Sequence, residues 1–79
     1  MVTVHRAFGY RFVIFVNDHS PPHVHVVGQG GEAKITLDGP EGLRLDWTAG
    51  IARSDLRRIL GEVERERDRF VAAWRAIHG

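Results

Sequence analysis

The apolar residues of this chain change their spacing once. Up to Trp47 they fall mostly at every second position; from Leu56 onward they recur at intervals of four and three. A period of two belongs to a strand and a period near 3.6 to a helix. A sheet is therefore expected first and a helix after it, within one domain covering residues 1–79.

The segments VTVHRAF and GYRFVIFV read as two strands joined at Phe8–Gly9. In the second, Phe12, Ile14 and Val16 share one face, while Arg11, Val13 and Phe15 share the other. Both faces are largely apolar, the pattern of a strand covered on both sides. HVHVVG and EAKITL form a second pair around the glycine-bearing QGG loop. Ala33, Ile35 and Leu37 alternate with Glu32, Lys34 and Thr36, which gives that strand one wet face. After the DGPEG turn, LRLDW puts Leu43, Leu45 and Trp47 inward and Arg44 and Asp46 outward.

Leu56, Leu60, Val63, Arg67, Phe70, Trp74 and Ile77 form one stripe, widened by Ile59 and Val71. The spacing predicts a single amphipathic helix of roughly 24 residues, about 36 Å long. Ser54 is the candidate cap, and Arg67 is the polar exception on the stripe, expected to pair or to snorkel at its edge. The expected fold is α+β: a small twisted antiparallel sheet of four or five strands with one long C-terminal helix packed on one face. Its expected core is Phe12, Ile14, Val24, Val26, Ile35, Leu37, Leu56, Leu60, Val63, Phe70 and Trp74. One helix covers only one face of a sheet. Val13 and Phe15, on the other, are therefore the expected contact surface for a second copy of the chain or for a partner protein.

At 79 residues a chain buries a limited core, and small domains often add disulfides, a metal or a partner. Cysteine is absent, so disulfides and thiolate-bound zinc are excluded. The net charge of +1 does not by itself argue for nucleic acid. Seven arginines fall after residue 50, but five acids are interleaved with them, so nucleic-acid binding is allowed without being indicated. No apolar run has the length of a membrane span and no signal-peptide pattern opens the chain; the expectation is a cytoplasmic protein with no membrane contact.

Three of the five histidines lie in NDHSPPHVHV. His23 and His25 are two apart in a predicted strand, so their side chains leave the same face roughly 6.5–7 Å apart. Two imidazoles so placed can share a zinc-like divalent ion, and they need a third ligand. Asp18 and His19 are the local candidates, and His5 is a remote one on a neighbouring strand. The two prolines favour an extended link that holds His19 about 12 Å from His23; a cis bond at Ser20–Pro21 or Pro21–Pro22 would ease convergence. A second alternative is acid–base chemistry on a phosphodiester by His23 and His25, with Arg11 or the helix arginines holding the phosphate. A third is that Asp18 and His19 merely hydrogen-bond the turn while His23 and His25 lie on the wetter sheet face.

GYRF, NDHSPPHVHV, GGEAKITL and RSDLRRILGEVE, in that order and followed by Trp74, resemble the bacterial family known as domain of unknown function 4160. The resemblance runs from about Val4 to His78, with HSPPHVHV its most specific part. Members are small and are often encoded beside a second small protein, in pairs that resemble toxin–antitoxin systems. The resemblance thus implies a protein–protein interaction module, as a homo-oligomer or with a small partner from an adjacent gene. It implies no catalytic residue. Ala52 stands where members often carry a serine cap.

Overall fold

In the structure, a computed structural model describing all 79 residues, five strands form one antiparallel sheet in the order of the chain. They are β1 (Val2–Ala7), β2 (Tyr10–Ile14), β3 (His23–Gly28), β4 (Gly31–Gly39) and β5 (Gly42–Ala49). Two helices follow, α1 (Arg53–Arg65) and α2 (Arg67–His78). The first two hairpins turn through two residues each, Phe8–Gly9 and Gln29–Gly30, all four with positive φ. Such turns match the twist of the strands they join, and glycine takes the second position without strain. The Gln29 side-chain amide donates to the Phe8 carbonyl (3.1 Å), so the two turns brace each other.

The register decides which side chains share a face. Phe12 stands opposite Val26, Val24 opposite Ile35, and Val26 opposite Ala33. With Ile14 and Leu37, these residues meet Ile59, Val63, Phe70 and Trp74 of the helices in one buried cluster. Nine of the eleven expected core residues are fully enclosed; Leu56 and Leu60 pack against the cluster from its margin. Tyr10, Ala33 and Ile59 join it, and the Tyr10 hydroxyl donates to Asp55 of α1 (2.9 Å).

Three expectations are corrected. The helix is two segments, divided at Glu66 (φ −98°, ψ 10°). A straight helix over Arg53–His78 would be about 39 Å long, whereas the longest dimension of the fold is 33 Å. The start of α2 is also tied to the sheet: Arg67 donates through Nε to the Leu37 carbonyl (2.7 Å) and Arg69 to that of Val4 (3.2 Å). Ser54 lies inside α1, whose first turn follows Ala52 without a side-chain cap. Finally, β2 ends at Ile14, because Phe15 to Asp18 form a turn closed by Asp18 N–H on the Phe15 carbonyl (3.1 Å); Val16 therefore leaves the strand face it was expected to share with Phe12 and Ile14 and is exposed.

The fifth strand departs from simple alternation. Leu45 is opposite Ile35 but Trp47, not Asp46, is opposite Lys34, so the register shifts by one residue. A bulge of this kind re-aims the side chains beyond it. Leu43 and Leu45 pack on the core as expected, while Trp47 is turned to the opposite face and is 43% exposed.

Candidate metal centre on the open sheet face

Both helices lie against one face of the sheet. By register, the other carries Val13, His23, His25, Lys34, Thr36 and Trp47. Val13 is wholly buried within the chain itself, directly across from His25, and Phe15 is half-buried with its ring edge-on to His25 (centroids 4.7 Å apart). The pair does not form the open apolar surface that alternation alone suggested, because the Phe15–Asp18 turn folds back beside the strand.

That turn also positions Asp18. Its Oδ2 accepts from the Phe15 backbone N–H (3.3 Å) and lies 3.1 Å from His23 Nε2 and 3.7 Å from His25 Nε2. Asp18, His23 and His25 thus bring one ligating atom each within 4.8 Å of one another. The Ser20–Pro21 bond is cis, yet His19 remains exposed and outside this group. His5 is on the helix side, bonded through Nε2 to Glu62 (2.6 Å), and is no part of it either. Arg11 does not line the groove beside the histidines, which is walled instead by Lys34, Thr36, Arg44, Asp46 and Trp47 together with Asp18 to Pro21.

The hydrogen bonds around His23 fix what its ring presents. Nδ1 lies 2.9 Å from the Pro21 carbonyl oxygen, which only accepts, so Nδ1 carries a proton. In the neutral ring Nε2 then offers a lone pair to a carboxylate oxygen 3.1 Å away. Two acceptors face each other, and the contact is favourable only with a proton or a cation between them. A backbone carbonyl holding one imidazole nitrogen while the other is left free is the usual surrounding of a metal-ligating histidine.

The His25 ring is held differently. Its pKa lies below the usual 6.5, chiefly through burial. His23 and Lys34 push it the same way, against the pull of Asp18 and Glu32. That shift favours the neutral ring, the form that binds metal. Its buried Nδ1 lacks a hydrogen-bond partner; the nearest carboxylate oxygen, on Glu32, is 3.5 Å away. Nε2 is the nitrogen turned to Asp18. Ligand atoms about 2.0–2.2 Å from a zinc-like ion, at angles between 90° and tetrahedral, lie roughly 2.9–3.5 Å apart. The Asp18 distances of 3.1 and 3.7 Å lie in or near that range, and the three atoms, within 4.8 Å of one another, would have to close further around an ion.

The remaining polar groups of the groove are held firmly. Asp46 accepts from the Thr36 hydroxyl (2.6 Å) and from Arg44 Nε (2.8 Å). Burial opposes its charge, but these two donors, with Lys34 nearby, outweigh it and hold the carboxyl below its ordinary 3.8. Lys34, Arg44 and Trp47 beside the histidines were not singled out in the sequence. Lys34 and Arg44 could have been found by extending the wet-face alternation across neighbouring strands; Trp47 could not, since only the bulge brings it there.

The family model described as "Domain of unknown function (DUF4160)" matches residues 9–75. The chain belongs to this family. The matched region holds all three ligand candidates and the whole groove. No curated protein and no solved structure matches the chain. No helix is long and apolar enough to cross a membrane.

Proposed function

We propose that Asp18, His23 and His25 bind a divalent transition-metal ion and that the protein works hydrolytically through it. The observation that carries this reading is the convergence of Asp18 Oδ2 with His23 Nε2 at 3.1 Å and His25 Nε2 at 3.7 Å, with His23 Nδ1 already committed to Pro21. Two histidines and one carboxylate leave coordination positions open toward the groove, as in sites that act on a substrate. A divalent ion there would supply Lewis acidity and an acidified water. Zinc, manganese and iron(II) all suit such a donor set.

The test is elemental analysis of protein purified without an affinity tag, with thermal melting in added zinc, manganese or iron(II). One equivalent of metal and a raised melting temperature, both lost in His23→Ala and Asp18→Ala, are expected. Absence of stoichiometric metal, with melting indifferent to all three ions, would overturn the reading.

A second reading is protein–protein association in the bacterial cytoplasm, as one half of a toxin–antitoxin-like pair or as a homo-oligomer. The exposed indole of Trp47 favours it, since large aromatic side chains anchor interfaces. Val13, being enclosed, takes no part. Co-expression with the adjacent gene product tests it: co-purification that Trp47→Ala abolishes is expected, and a monomer that captures nothing counts against it.

A further inference from the structure

We infer that the open sheet face binds single-stranded nucleic acid, with a base stacked on Trp47 and the adjoining phosphates held by Lys34 and Arg44. This deepens the hydrolytic reading, on which it rests for the fate of the bound strand, but binding itself needs no metal.

The bulge in β5 turns an indole out of the core onto a polar face, where it stands 43% exposed. Its ring centroid is 6.3 Å from that of His25. Lys34 is its direct cross-strand partner, and Arg44 is opposite Thr36, two residues further along β4 on the same face. Arg44 is fixed by Nε on Asp46, its side chain is 60% exposed, and it lines the groove. An accessible aromatic face beside two cations is the arrangement that grips unpaired strands: bases stack without regard to sequence and cations track the backbone. A duplex would keep its bases stacked on one another, leaving Trp47 without a role. A free phosphate would use the cations and ignore the indole. Placed on Trp47, Lys34 and Arg44, a strand passes over the group formed by Asp18, His23 and His25, which line the same groove.

Tryptophan fluorescence gives a direct readout, because the other tryptophan, Trp74, is buried at 3% exposure. The full chain is titrated in EDTA with mixed-sequence RNA and DNA eight-mers, and separately with inorganic phosphate. Anisotropy of labelled eight-mers gives affinities for the variants. Quenching by the oligonucleotides but not by phosphate is expected. Two phosphate contacts give a log–log salt slope of about −1.4, so affinity falls about sevenfold between about 50 and 200 mM salt. Lys34→Gln should reduce that slope by about 0.7. Trp47→Ala should weaken binding about tenfold, and Trp47→Phe, which keeps a ring, much less.

Absence of binding at about 50 mM salt, or affinity unchanged in both Trp47→Ala and Lys34→Gln, would overturn the inference. So would saturation by phosphate alone or preference for a duplex. Strands bound in EDTA but left uncut when metal is restored would instead sink the hydrolytic reading. Stoichiometric metal with no strand bound would do the reverse.

Discussion

The sharpest test of how this fold holds together is Glu62. This carboxylate on α1 is only 7% exposed, and it is bonded to His5 of β1 (Nε2 to Oε2, 2.6 Å) and to Arg65. His5 Nδ1 in turn lies 2.7 Å from Arg69 Nη2. Arginine has no acceptor, so Nδ1 is unprotonated and accepts; the ring proton is on Nε2 and is donated to Glu62. The His5 ring also meets Phe12 and Phe70 edge-on, at 5.2 and 5.5 Å. One histidine therefore joins the edge strand to helices on both sides of the break at Glu66.

Glu62→Ala removes a charge-assisted bond and orphans the His5 N–H. The loss is about 1.5–3 kcal/mol, against a total stability of roughly 4–12 kcal/mol for a chain of this length. At about 4–8 °C per kcal/mol, a central loss of about 2 kcal/mol lowers the melting temperature by about 8–16 °C. Glu62→Gln keeps an acceptor for His5 and should lose about half as much. Thermal and urea unfolding followed by circular dichroism give both numbers, and a double-mutant cycle with His5→Phe isolates the pair while keeping the aromatic contacts. An alanine variant within about 0.5 kcal/mol of the parent would refute the reasoning. A glutamine variant as unstable as the alanine one would refute the assignment of the His5 proton.

Other outcomes are expected from the same structure. Val13→Glu should cost at least about 3 kcal/mol by burying a charge, measured by urea unfolding; a stable variant with altered association would show that Val13 is a contact after all. The lowered pKa of Asp46 means the folded state binds its proton less readily than the unfolded chain. Its contribution is full above the ordinary 3.8 and is lost as pH falls through the depressed folded value. Asp46→Asn should accordingly flatten the acid limb of the stability–pH curve below about pH 4, and an unchanged limb would argue against the Thr36 and Arg44 contacts. Removing metal with EDTA should leave the far-ultraviolet spectrum and a cooperative melt in place, since the core is closed by apolar side chains even though the His23 ring meets that of Trp74 (centroids 4.8 Å); unfolding on chelation would mark the ion as a structural staple.

Most of the fold was legible because it follows from two periods and two glycine turns. Ala33, Ile35 and Leu37 face the helices as their alternation requires, and Phe12, Ile14, Val24 and Val26 complete that layer through the register. What the pattern did not carry was where an element stops. Val16 continues the alternation of β2, yet a backbone bond at Asp18 turns the chain before it. The helical stripe runs unbroken through Arg67, yet that residue is drawn to the Leu37 carbonyl, a partner thirty positions away. Period reports which face a side chain prefers; tertiary hydrogen bonds decide how far the element extends.

The candidate centre was half legible for the same reason. His23 and His25 share a face by the strand period alone, so their convergence needed no tertiary information. The choice between Asp18 and His19 as third ligand did, because the two are adjacent and differ only in how the turn aims them. Asp18 bonds back to Phe15 N–H and points inward, which leaves its neighbour His19 in solvent. The twelve apolar residues of the buried cluster border the group, whose His23 ring is itself buried 4.8 Å from that of Trp74. A staple would be expected to close four ligands around the ion, whereas this group offers three and opens onto a groove. The apolar core and the His5–Glu62 brace hold the fold together, and the three-ligand group lies at the margin of that core, open to the groove.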